Sequence, residues 1–154
     1  MTDLKPPRLL GDERATLVAL LQYHRESVVK KVAGIDDQQA QWSPVASGTS
    51  LLWIVQHLAH AETLWFVNRF AGERDAAPAR SDTIEQAVDA YRATWHRVDA
   101  ILDREALDAP CRGLGSDEPP TNLRWVLMHL LEETARHAGH ADIIRELIDG
   151  ETGR

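Results

Sequence analysis

Residues 129–144 read HLLEETARHAGHADII. At about 100° per residue this stretch is an amphipathic helix that carries polar groups inside its apolar arc. Extended to 123–148, the arc is centred on Leu123, Val126, Leu130, Thr134, Ala141, Ile144 and Ile148. His137 falls within about 30° of that centre, Glu133 about 70° away, and His140 about 90° away on the same side. His129 lies further round. A carboxylate buried beside an imidazole is costly unless something compensates it. A divalent metal is one compensation and a plain ion pair is another. The spacing alone does not choose between them.

Three more helical stretches lie upstream. The first spans 12–33, with Leu17, Leu20, Leu21, Val28 and Val32 on one stripe and Gly34 as its stop. DDQQAQW, at 36–42, predicts a short extra turn. SPVASGTS, at 43–50, reads as loop, with Thr49 or Ser50 as the next N-cap. The second long helix spans 51–71 and ends at Gly72. The third spans 83–104, with Asp82 and Glu85 as its expected capping pair. The last spans 122–149 and closes at Gly150. No alternating strand pattern interrupts them. The expected fold is all-α, a four-helix bundle, in a single domain over residues 1–154.

The 154 residues, 44% hydrophobic and 27% charged, suit one soluble domain with its own core. A net charge of -7 without a Lys/Arg cluster argues against nucleic acid as a partner. No apolar run approaches the roughly 18 residues of a membrane span. The first residues show no signal pattern, so the expected location is cytoplasmic. Cys111 is the single cysteine, which excludes an intrachain disulfide and a Cys-rich zinc site. The paired Glu-x-x-His motifs of a di-iron bundle are absent.

Metal sites in bundles draw ligands from facing helices. A third ligand is therefore sought in LLWIVQHLAHAETLWF, at 51–66. His57 is one candidate on this largely apolar helix. Glu62 lies nearer the stripe centre, among Val55, Leu58, Trp65 and Phe66. On periodicity both remain open, Glu62 either as a ligand or as a buried partner for an arginine.

Three stretches, YHRESVVKKVAGIDDQQA, SGTSLLWIVQHLAHAETLWF and LRWVLMHLLEETARHAGHADIIRELIDG, resemble the DinB-like superfamily in order and over nearly the whole chain. The likeness is to its actinobacterial branch, related to mycothiol-dependent isomerases and bacillithiol transferases. The resemblance implies an up-down-down-up bundle that forms a homodimer. It implies a divalent metal, zinc or nickel, held by His57, Glu133 and His137. It favours His57 over Glu62. Many relatives carry His where this chain has Glu133. The implied chemistry is activation of a low-molecular-weight thiol for S-transfer to a small electrophile or for thiol-assisted isomerisation.

In that scheme His140 is the candidate proton carrier. His24, between Leu21 and Val28, is a second candidate catalytic group, or a hydrogen-bonded core histidine. Arg25 is the candidate for binding a carboxylate of thiol or substrate, or else a member of a surface ion pair. His60 and His96 fall on polar faces, and His129 is an outer candidate. Trp65 and Trp125 are expected in the core or as pocket walls. Cys111 reads as a packed thiol, since no cationic neighbour pattern lowers its pKa.

Overall fold

The computed structural model describes residues 5–153 and is helical, with no β-strand among them. α1 spans Glu13–Lys31, α2 Asp37–Gln41, α3 Leu51–Glu62, α4 Ile84–Arg104 and α5 Leu123–Asp149. α3 runs without a break into a π-helical segment, Thr63–Phe70. The long rods stand where the apolar periodicity predicts them.

Local chemistry sets their ends. Asp12, Ser50 and Asn122 sit in extended backbone before α1, α3 and α5, and each side chain accepts an amide of the first turn. Asp36 and Gln39 form a reciprocal capping box on α2. α5 stops at Gly150, whose φ of +78° is a conformation other residues rarely adopt. One cap differs from expectation. α4 is capped by Thr83, whose hydroxyl accepts the Gln86 amide at 3.4 Å. Asp82 lies one position too early for that role. Its carbonyl instead accepts the Gln41 side chain at 2.7 Å, and the Ile84 amide donates to Asp37 at 2.8 Å. The short α2 is thereby tied to the start of α4.

The π segment has a visible cause. Arg112 and Gly113 donate their backbone amides to the carbonyls of Phe70 and Arg69 at 2.9 and 2.8 Å. The 105–122 loop thus occupies acceptors at the helix end, while Ala71 bonds five residues back to Phe66. π-helical stretches are uncommon and gather at functional sites. Gly113 presses so closely that a Cβ there would meet the Asn68 carbonyl oxygen at 2.0 Å.

α1 packs chiefly on α5, and α3 on both α4 and α5. The core falls into two apolar clusters. One gathers Val28, Leu51, Ile54, Val55, Trp95 and Ile144. The other gathers Leu21, Phe66, Phe70, Val98, Leu123 and Leu127. Burial of Leu- or Phe-sized side chains contributes about 1.5–3 kcal/mol each, so these clusters dominate the driving force. Among the described residues no helix is long and apolar enough to cross a membrane.

Candidate metal centre between α3 and α5

α3 and α5 meet along a groove in which low numbers on one helix face high numbers on the other. Thr49 lies with His140 and Ile144, His57 with Glu133, and Trp65 with His129. Midway along it, His57, Glu133 and His137 offer one donor atom each, all within 4.8 Å of one another. Glu133 Oε1 is the hub. His57 Nε2 lies 2.7 Å from it and His137 Nε2 3.2 Å. The i, i+4 relation on α5 makes the second contact, and the packing of α3 on α5 makes the first.

Aromatic contacts fix the rings. Trp53, one turn before His57, stacks on it at 4.7 Å and 8° between planes. The same indole meets His137 edge-on at 5.7 Å. His57 and His137 themselves lie 4.6 Å apart, centroid to centroid. His137 is buried, whereas His57 and Glu133 keep 31% and 18% of their side-chain surface, so the centre is reached from solvent on their side.

Electrostatics favours, for His137 and Glu133, the protonation states that a metal requires. Burial, joined by the charge of His57, pushes the His137 imidazole below its ordinary range against the pull of Glu133. Burial alone would raise the Glu133 carboxyl. The His57 hydrogen bond and the charges of His137 and His57 outweigh it and hold the carboxyl below its ordinary value. Donor atoms around one tetrahedral zinc, each about 2.0–2.1 Å from the ion, sit roughly 3.3 Å apart. The 3.2 Å separation is of that size, and the 2.7 Å one is a direct hydrogen bond that a small outward shift would open to it. Two imidazoles and one carboxylate suit zinc or nickel and leave coordination positions open.

The other predicted residues are placed as follows. His140, exposed on α5, sets its ring edge-on to His137 at 5.3 Å, next to the triad. His24 is half-buried on α1 with its ring 5.0 Å from Tyr23, and it is not in the three-residue cluster. Arg25 is 1% exposed, and its guanidinium is engaged inside the chain. Nε and Nη2 donate to the two oxygens of Glu62 at 2.9 and 2.5 Å, and Nη1 donates to Asp99 at 3.0 Å. The carboxylates that Arg25 binds are therefore the chain's own Glu62 and Asp99, and with Glu62 the pairing is buried rather than at the surface. Glu62 is fully buried and also accepts from the Tyr91 hydroxyl at 3.3 Å. Glu62 lies outside the His57 cluster.

A cavity of about 400 Å³ opens beside His57 and Glu133. His60, Trp65, Asn68 and His129 line it as well. His60, expected on a polar face, has its Nε2 2.8 Å from the Pro78 carbonyl oxygen, and His129 is stacked on Trp125 at 4.9 Å. Sequence reasoning missed Trp53 altogether. Its place one turn before His57 was the available signal, since aromatic and histidine rings at i, i+4 share a face.

A family model described as mycothiol-S-transferase matches residues 16–150. The chain belongs to this family, within the DinB-like proteins. No curated protein sequence matches it. A solved structure of a conserved protein from Enterococcus faecalis is similar, with a TM-score of 0.69 and 16% identity over 92% of this chain and 99% of that one. At that identity the likeness concerns the fold. The match covers all three stretches that carry the sequence resemblance in full.

Proposed function

We propose that this member of the mycothiol-S-transferase family is a divalent-metal-dependent enzyme that activates a mycothiol-like thiol for transfer of its sulfur to a small electrophile. The observation that carries the reading is the convergence of His57, Glu133 and His137 from two helices on one point. These three side chains would hold the ion, zinc or nickel. When bound, the ion supplies positive charge that favours the thiolate over the thiol near neutral pH.

The residues of the chain do the rest. Trp53 holds the His57 ring in plane, and burial keeps His137 neutral. A ring nitrogen of His140, one turn along α5, accepts the thiol proton and passes it to solvent. The thiolate sulfur forms a bond to the electrophilic carbon, and the leaving group departs with its electron pair. Thiol-assisted isomerisation begins with the same thiolate and ends with its release. A cytoplasmic location, where thiols are kept reduced, and a homodimer belong to the same reading. His24 and Arg25 receive no part in it, given the contacts they make.

The test begins with elemental analysis of untagged protein purified without added metal, beside a His57→Ala, His137→Ala double variant. We expect about one zinc or nickel ion per chain, lost in the variant. Mycothiol-dependent conversion of an activated halide such as monochlorobimane is then followed with and without the ion. Metal without thiol-dependent turnover would make the protein a non-catalytic metal binder. A wild type that neither carries nor takes up zinc or nickel would overturn the proposal.

A further inference from the structure

On the far side of His140 from the triad lies a second cavity of about 380 Å³, between the 43–50 loop and α5, lined by Pro44, Val45, Thr49, His140, Ile143 and Leu147 among others. Its chemistry differs from that of the first cavity. Beside His57 the walls carry three imidazoles, a carboxamide and a carboxylate. Beyond His140 the walls are aliphatic, with the Thr49 hydroxyl and His140 as the polar groups and no lysine, arginine, aspartate or glutamate.

The apolar walls are open to solvent. Val45 is 51% exposed, Ile143 61% and Leu147 59%. Clustered aliphatic exposure of this kind marks a binding surface rather than the ordinary scatter of apolar surface atoms. The occupant is indicated by proximity. His140 belongs to the wall of this cavity and also touches His137, so a molecule seated here lies beside the proposed thiol centre. A cavity of this size accepts a small molecule of one or two rings.

We infer that this aliphatic cavity is the electrophile subsite, and that it selects uncharged, apolar electrophiles over carboxylated ones. The inference rests on the thiol-transfer reading of the triad. Its physical basis is desolvation. Seating a carboxylate against Val45, Ile143 and Leu147 strips water from the charge, and no lysine or arginine on the walls compensates. The more polar thiol takes the first cavity, where His60, Asn68 and His129 offer hydrogen bonds. The sulfur is then presented between the two cavities, at the triad.

The test has a binding arm and a kinetic arm, so that failure of catalysis and failure of the subsite are told apart. In the first, an unreactive methyl-substituted bimane, uncharged, is titrated into the metal-loaded protein while the methyl NMR signals are followed. Shifts are expected at Val45, Ile143 and Leu147, and a carboxylated bimane should bind at least about tenfold more weakly. In the second, Ile143→Glu and Leu147→Glu, both at exposed positions, should each raise the KM for monochlorobimane by about tenfold while metal content stays at the wild-type level.

Shifts confined to Leu64 and Ala61, at the other cavity, would overturn the assignment. Equal binding of the two bimanes would do the same, as would an unchanged KM in both variants. If the same methyl signals move on simple dilution and Ile143→Glu turns a dimer into a monomer, the face is a contact between copies of the chain and the assignment also fails. Should the wild type show no turnover at all, the thiol-transfer reading falls, and the titration alone decides whether the cavity takes apolar ligands.

Discussion

Glu62 and His57 share one helix and have opposite fates. Periodicity put Glu62 at the centre of the apolar stripe, and there it lies, fully buried against Arg25. It could not say that the central place belongs to a structural ion pair. A centre that exchanges ligands must touch solvent, so some of its residues, here His57 and Glu133, sit nearer the edge of the stripe, where periodicity is weakest. His137 was legible because it falls near the arc centre of α5, and His57 only through the family resemblance. Breaking the buried pair tests this division. Glu62→Ala leaves the Arg25 charge buried without its main partner and should destabilise the protein by about 3–5 kcal/mol in urea unfolding, while a Glu62→Leu, Arg25→Met double change should cost much less. If Glu62→Ala is near neutral, the pair does not organise the core. Cys111 gives a second residue-scale test. Burial pushes its thiol above the ordinary range against the pull of Arg112. A raised pKa means less thiolate at any pH below it, so alkylation by iodoacetamide at pH 8 should be slower in the native protein than in urea. Equal rates would make Cys111 a candidate nucleophile.

At the scale of elements, most of the helices were written in local chemistry. Asp36 with Gln39, Ser50 and Asn122 are start signals, and Gly34, Gly72 and Gly150, all at positive φ, are stops. The π segment was not legible, because its cause lies in a loop more than forty residues away in sequence. No pattern within Thr63–Phe70 announces that two amides from 112 and 113 will take its acceptors. The same gap explains the misplaced cap of α4, where Asp82 and Thr83 compete by a single position. Gly113→Ala tests the loop's role. The new methyl would collide with the Asn68 carbonyl, so a loss of about 1–3 kcal/mol is expected in the urea midpoint. Asn68 also lines the polar cavity, and thiol binding should weaken together with stability. An unchanged midpoint would show that the loop yields freely and does not hold the π-helical turn.

At the scale of the whole molecule, the proposed ion would join the α3–α4 side of the bundle to the α1–α5 side. A ligand that binds only the folded state stabilises it, by about 2.7 kcal/mol at one hundred times its Kd. Zinc should therefore raise the melting temperature of metal-free protein, and His57→Ala or His137→Ala should abolish the rise. A rise that survives both changes would place the ion elsewhere. The acidic charge and the all-α class were evident from composition and periodicity alone. The pairing of His57 with Glu133 bridges 76 positions of sequence. That separation bears on synthesis. While the ribosome is still making α4, His57 lacks Glu133 and His137, and α1 lacks the helix it chiefly packs against. If the proposed ion is held there, its loading would follow translation of α5, a chain truncated before α5 would not capture it, and uptake would report that α5 had been made.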